Sequence, residues 1–295
     1  MNDINGTKLA VVGGDMRMLY CAKELAARGF ETALSGFDGA GADPGGAVRC
    51  RTAADALAAS SAVILPVPYS TDGCRLNCPF SASETRIDDL LGLLRPSQLL
   101  LAGVCRLALV SAAEERGLDV TDYMNDEALA IYNARATAEG ALSALIRELP
   151  VTLLGRRVLV TGYGRVGSAV AALLKATGCD VTVCARRRSA LASAECAGCR
   201  TADIKRLCRA AAENEVIINT VPDMILDRNV LSSVPADTLI VDLASLPGGV
   251  DAEYAGKLGL RVCRELSLPG RCSPATAGAR IADAVVSILE RRGII

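Results

Sequence analysis

The segment RVLVTGYGRVGSAVAALLKATG, residues 157–178, restricts the possible folds more than any other part of the chain. Five residues dominated by valine and leucine, glycines at 162, 164 and 167, and a proline-free amphipathic run read in that order as strand, tight turn and helix. The spacing has a mechanical meaning: the first glycine allows the turn, the second lets backbone approach a pyrophosphate, and the third lets the helix sit close to the strand. The helix start then offers unpaired N–H groups and positive partial charge to phosphate oxygens. GxGxxG alone is weak evidence, but between a strand and a helix it predicts a nucleotide cradle made by Gly162, Tyr163, Gly164, Arg165, Val166 and Gly167.

The rest of the chain repeats the alternation of apolar strand and amphipathic helix. KLAVV, FETALSGF, SAVILPVP and QLLLAGV read as strands before the cradle, with helices over 15–28 and 84–94, and DVTVCA, EVIINTVP, TLIVDLAS and LRVCREL read as strands after it. This predicts an α/β fold of two tandem doubly wound parallel-sheet (Rossmann-like) domains with a cleft between them. Thr137, followed by apolar residues at helical spacing, is expected to cap a long connecting helix that Pro150 stops. The expected boundaries are an N-terminal α/β domain for substrate or partner over 1–136, the connecting helix over 137–150, the nucleotide domain over 151–275, and a last helix over 276–295 that packs back toward the N-terminal domain. The polar stretch 69–83 suits either a lid over a site or a surface insertion. The first glycine turn, VVGGDMR, lacks the third spaced glycine and places Asp15 where a pyrophosphate would be repelled, so no second dinucleotide is expected there.

Composition narrows the chemistry. With 32 basic and 33 acidic residues the chain has no broad electrostatic footprint for nucleic acid or an anionic membrane, so an anion has to be held locally. The start shows no export signal, and no apolar run of about 18 residues could span a bilayer, which predicts a cytoplasmic protein. In such a reducing compartment the 12 cysteines, with a single CxxC pair at Cys196 and Cys199, read as small apolar residues, and no metal is expected. There is no histidine, which removes the commonest general base and the commonest metal ligand.

The strand after the cradle ends in Arg186, Arg187, Arg188 and Ser189. An NAD site places an acidic residue about 20 positions along to bond the ribose hydroxyl, whereas a 2′-phosphate would be repelled by that acid and calls for arginine. The coenzyme expected is therefore NADP, with Arg186, Arg187 and Ser189 at the 2′-phosphate. Because ligands of such sheets bind beyond the carboxyl ends of the strands, Asn219, Thr220, Val221, Pro222, Asp242 and Ala244 are expected to complete the coenzyme site, with Ser245 and Ser267 toward the substrate. The other wall would supply Arg17, Asn133, Arg135 and Thr137, the arginines suited to bidentate capture of a carboxylate. Glu139 and Asp15 are the candidate acid–base groups in a chain without histidine.

Taken together, VVGGDMR, YNARATAEGAL, GYGRVG with ARRRS, NTVP, DLASLPGG and SLPGRCSPATAG occur in the order, and nearly the full length, that resembles the dipicolinate synthase A-subunit family of spore-forming bacteria. The resemblance implies NADP-dependent oxidation of a dihydrodipicolinate-type heterocycle, derived from 4-hydroxy-tetrahydrodipicolinate of the lysine pathway, to pyridine-2,6-dicarboxylate during sporulation. It also implies a partner, the flavoprotein-like B subunit, and a place in the mother cell; a homo-oligomer stays open. Two other readings stand beside it: a non-catalytic NADP-binding protein with a regulatory or scaffold role, and an NADP reductase resembling shikimate or methylene-folate dehydrogenases.

Overall fold

Parallel strands buried on both faces need helices on both faces, and the chain's short valine-, leucine- and isoleucine-rich strands form such sheets twice. The computed structural model describes residues 6–295; residues 1–5, which open the expected N-terminal domain, lie outside the described residues. Strands β1 (Lys8–Val12), β2 (Glu31–Ser35), β3 (Val48–Arg49), β4 (Ala62–Ile64), β5 (Leu99–Ala102) and β6 (Asp119–Asp122) form one parallel sheet in the order β3-β2-β1-β4-β5-β6. Strands β7 (Arg157–Thr161), β8 (Asp180–Ala185), β9 (Arg200–Asp203), β10 (Val216–Asn219), β11 (Leu239–Asp242) and β12 (Arg261–Arg264) form another, in the order β12-β11-β10-β7-β8-β9. Counted from its own first strand, each sheet has the order 3-2-1-4-5-6 of the dinucleotide-binding fold. Each therefore has a switch point, between β1 and β4 in the first and between β7 and β10 in the second.

The chain divides into two compact units. One runs through Tyr132 and regains Ser273–Ile295; the other is Asn133–Cys272. In the first, Leu9 and Val11 point to one face, against Met18, Leu19 and Leu25 of the helix Met16–Ala27, while Ala10 and Val12 point to the other, against Leu90 and Leu91. This is the period-2 alternation of a strand. The last helix, Pro274–Arg291, adds Ile281, Val285 and Leu289 to the same core and crosses Met16–Ala27 at Gly278, where a Cβ would come within 2.9 Å of Cys21 N. In the second unit Val158 and Val160 pack with Val170, Leu174 and Leu145, and Leu159, Ile217 and Ile240 with Leu207 and Leu231. Among the described residues no helix is long and apolar enough to cross a membrane.

Two expected helix bounds are corrected. The long helix starts at Glu127, not at Thr137, and runs to Glu148 across the boundary between the units. Thr137 lies inside it, its hydroxyl donating to the Asn133 carbonyl at 2.7 Å instead of capping an N–H. Alanine, the strongest helix former, recurs at 128, 130, 134, 136, 138, 141 and 144 and carries the helix through the cap candidate Thr137. The helix predicted over 84–94 is correspondingly shorter than expected, Ile87–Gly92.

The long helix is tied to the second sheet by charge. Glu265, following β12, is 6% exposed and accepts hydrogen bonds from Arg147 and Arg271, each at 2.6 Å. Burial by itself would raise its pKa, but the two guanidinium hydrogen bonds outweigh that and hold it below the ordinary glutamate value. A carboxylate depressed in the folded state gives stability that is complete above about pH 4.5 and is lost as pH falls through the folded value, because the unfolded chain binds the proton more readily. Glu265→Gln should cost about 1–2 kcal/mol at pH 7, a modest figure because both arginines are half exposed and rehydrate. In melting curves taken from pH 7 down to pH 3, the gap between wild type and variant should narrow on acidification; a constant gap would show that the ion pairs contribute nothing.

Candidate functional site

At the switch point of the second sheet, beyond the ends of β7, β8 and β10, lies a cavity of about 420 Å³, the size of a small-molecule site. The turn after β7 forms its floor. Gly162 has φ +84°, and a Cβ there would lie 2.7 Å from Thr220 Oγ1. At Gly167 a Cβ would run into the Gly162 carbonyl and come within 2.9 Å of its carbon, so the helix Arg165–Ala176 can rest on the turn only without a side chain there. A Cβ on Gly164 would meet no protein atom within 4 Å. Gly164 is also the helix N-cap, makes no side-chain cap bond, and is followed by no acidic residue in the first turn. Exposed N–H groups and the positive end of the helix thus face a space clear of side chains, an arrangement that fits a pyrophosphate.

Arg186 and Arg187 follow β8 and line the cavity, both exposed and without an acidic partner among the described residues. Across from them run Thr220, Val221 and Pro222, with Thr220 Oγ1 donating to the Thr161 carbonyl at 2.7 Å. Thus Gly162 to Gly167, Arg186, Arg187 and Thr220 to Pro222 are brought together. Asn219, Asp242 and Ala244 are not: all are buried, at 0%, 3% and 3% exposure, and none lines the cavity. The strand-end rule located their backbone correctly, but their side chains turn into the sheet. Ser189 is exposed on the helix Arg188–Cys196 and also stays off the cavity wall. Sequence reasoning missed Cys184, Ala185, Ala190, Ile204, Asp223 and Ile225. Ile204 is instructive: Ala185 pairs with Asp203 across β8 and β9, so the residue after β9 stands beside the arginines. Only strand order reveals this.

The remaining candidates are distributed over both units. Asp15 N-caps Met16–Ala27 through the Arg17 N–H at 2.9 Å and forms an ion pair with the Arg17 guanidinium at 2.7 Å. Arg17 is buried and donates also to the Val67 carbonyl at 2.6 Å. In the second unit Arg135 and Glu139 form an exposed pair at 3.2 Å, one helical turn apart. Asn133 gives its carbonyl to Thr137. Ser245 and Ser267 are exposed after β11 and β12, Ser267 with φ +56°.

The first sheet has the same strand order but fills its switch point differently. The loop Leu76–Phe80 lies on the β1 turn: a Cβ on Gly13 would collide with Cys78 Sγ and approach the Asn77 carbonyl at 3.2 Å, and Gly39 N donates to the Phe80 carbonyl at 2.8 Å. Phe80 stacks on Phe37 with ring centroids 6.2 Å apart. Burial pushes the Cys78 thiol up to about 11, against a smaller lowering by the Gly14 N–H that it accepts. A thiol and the Asp15 carboxylate therefore hold the N–H groups that the second unit leaves open. This segment belongs to the 69–83 stretch, which is packed down onto its own unit.

Comparison with known proteins agrees with this division. Residues 8–124 match the family described as the N-terminal domain of the dipicolinate synthase A-subunit, and residues 130–245 match the NAD binding domain of D-isomer specific 2-hydroxyacid dehydrogenases. The dipicolinate synthase A-subunit of Bacillus subtilis (strain 168) is 32% identical over 287 residues, 97% of each chain. The crystal structure of the dipicolinate synthase A-subunit from Bacillus halodurans superposes with a TM-score of 0.89 at 30% identity, over 97% of this chain and 98% of that one. The transhydrogenase from Sinorhizobium meliloti, at 18% identity and a TM-score of 0.74 over 97% of this chain and 94% of its own, shares the fold. With two Rossmann-like units, a dehydrogenase-type nucleotide-binding half and a relative matched end to end, the chain belongs to the dipicolinate synthase A-subunit family.

Proposed function

We propose that this chain is the NADP-dependent oxidoreductase component that converts dihydrodipicolinate, formed from 4-hydroxy-tetrahydrodipicolinate, to pyridine-2,6-dicarboxylate in sporulating cells together with a flavoprotein-like B subunit. The observation that carries the coenzyme choice is the tip of β8. Arg186 and Arg187 line the cavity there, and the one carboxylate lining it among the described residues, Asp223, follows β10 instead. Guanidinium groups in that place favour an extra phosphate on the adenosine ribose. NADP held in this cradle supplies the hydride acceptor. The chain's own part is positional: N–H groups of the turn and helix hold the pyrophosphate, Arg186 and Arg187 the 2′-phosphate, and Thr220 to Pro222 the opposite side. A substrate with two carboxylates calls for cationic or N–H sites, for which Arg17 and Arg135 are the candidates, and Asn133, Thr137, Ser245 and Ser267 are proposed as further substrate contacts. Aromatisation drives the reaction, so a modest carboxylate base suffices, Glu139 or Asp15.

The test has two stages. Titration calorimetry should find one NADP bound per chain, since Leu76–Phe80 covers the other switch point, and bound more tightly than NAD. The chain is then mixed with NADP and freshly generated lysine-pathway aldol product, with and without the B subunit, while pyridine absorbance and NADPH are followed. No dipicolinate under either condition removes the enzyme reading. A second reading, in which this chain binds NADP and its partner performs the chemistry, draws on the pairing of both candidate bases with arginines. Unchanged product formation by a chain carrying Asp15→Asn and Glu139→Gln would favour it.

A further inference from the structure

Asp242 is a buried carboxylate in no salt bridge among the described residues; the Arg264 guanidinium stands nearby across Gly248, where a Cβ would lie 2.6 Å from Arg264 Nη2 and 2.9 Å from Asp242 Oδ2, but donates to the Pro247 carbonyl. Its partners are all neutral donors. Oδ1 accepts from Asn219 Nδ2 at 2.8 Å and from Ala244 N at 3.2 Å, and Oδ2 accepts from Gly249 N at 3.3 Å. A buried, unpaired charge is costly, so a reason is needed for a carboxylate where an amide of the same size would fit. The donors provide it: three N–H groups converge on one side chain, an acceptor-only group satisfies them all, and an amide would turn its own N–H toward one of them.

What Asp242 holds leads directly to the cavity. Asn219, oriented by Asp242, donates to the Val221 carbonyl at 3.0 Å and accepts the Val221 N–H at 3.2 Å and the Thr161 hydroxyl at 2.6 Å. Gly249, drawn in by the other oxygen, lies against the Val221 and Asp223 carbonyls, and its carbonyl accepts the Leu226 N–H at 2.9 Å. The segment 220–225, which supplies one wall of the cavity, is thus clamped by the chain Thr161–Asn219–Asp242–Gly249, none of whose side chains lines the cavity.

We infer that Asp242 is a positioning residue for the coenzyme: acting through Asn219 and Gly249, it sets the place of the Thr220–Ile225 wall, and coenzyme affinity depends on its being an acceptor at both oxygens. This rests on the coenzyme reading above, but it concerns the whole nucleotide and not the 2′-phosphate. The two therefore fail differently.

The experiment measures NADP and NAD binding by calorimetry, with melting curves of the free chain and the chain saturated with NADP. Variants are Asp242→Asn and Thr161→Val, and amide hydrogen exchange in the free chain reports on the Thr220–Ile225 wall. Asp242→Asn should weaken both nucleotides by about tenfold or more, in equal ratio, and shrink the rise in Tm produced by NADP. In the free Asp242→Asn chain the Val221 and Leu226 amides should exchange about tenfold faster while those of Arg157–Thr161 stay protected, which a general loss of packing would not do. Thr161→Val, whose side chain stays off the cavity wall and which is compatible with a strand, should weaken binding by about threefold to tenfold, so the inference stays testable even if Asp242→Asn does not fold. Unchanged affinity in Thr161→Val, or a folded Asp242→Asn whose Val221 and Leu226 amides stay as protected as in wild type, overturns the role given to Asp242. Wild type binding NAD as tightly as NADP overturns only the 2′-phosphate reading, and wild type binding neither overturns both.

Discussion

Replacing Arg186 and Arg187 together by alanine should weaken NADP binding by about thirtyfold to a hundredfold while leaving NAD within about twofold. Each guanidinium bound to a phosphate oxygen is a charge-assisted hydrogen bond worth about 1.5–3 kcal/mol when shielded from solvent, and exposure of both arginines brings the pair below the lower sum, to about 2–2.7 kcal/mol. NAD has nothing at the ribose for these groups to hold, so its affinity serves as the internal control. Arg188→Ala is a second control, because Arg188 begins the next helix and does not line the cavity. Raising the salt concentration should erode the preference in wild type and leave the double variant unmoved. Calorimetry with both nucleotides checks this, and an NADP to NAD ratio that survives the double substitution would refute the role assigned to the β8 tip.

The other large effect separates two glycines of one motif. Gly167→Ala forces a methyl group into the Gly162 carbonyl and to 3.2 Å from Thr220 Oγ1, and since the first obstacle is backbone, the helix must move off the strand. Overpacking of this kind costs about 1–3 kcal/mol and displaces the N–H groups proposed to hold the phosphates. Melting temperature and nucleotide affinity should therefore both fall. Gly164→Ala adds its methyl group to open space, so the melting temperature should stay within a few degrees, about what a surface substitution produces. Nucleotide affinity should nevertheless drop by about tenfold or more, because that methyl group projects where the backbone has to approach the pyrophosphate. If Gly164→Ala binds NADP as wild type does, the pyrophosphate is not held at this turn.

The same contrast shows which parts of the site can be read along the chain. The cradle is legible because strand, turn and helix are contiguous and the three glycines report local geometry. So is the arginine tip, since it follows β8 directly. The polar edge strands VR, DVTD and RTAD escape detection because their solvated sides carry no apolar run. The start of the long helix is misplaced for a different reason: Thr137 resembles a cap, yet alanine-rich flanks make the helix cheaper to continue than to break. Asn219 and Asp242 are placed at the right strand ends with the wrong orientation, since the direction of a side chain at a strand's last residue follows from the sheet's alternation and from its neighbours' donors.

By itself, the amino-acid order determined the α/β class, the phosphate cradle, the cationic group beside it and the lack of histidine chemistry, all properties of short contiguous segments. Tertiary structure decided what occupies each switch point. Both sheets have the same strand order, but Cys78 and Asp15 cover the N–H groups of the first, while those of the second stay open between Arg186 and Pro222. It also brought Ile204 beside the arginines and drew the final helix into the first unit's core. These outcomes depend on contacts between residues far apart in the chain, and such contacts form only where burial of apolar surface and satisfied hydrogen bonds outweigh the entropy of closing the loops between them.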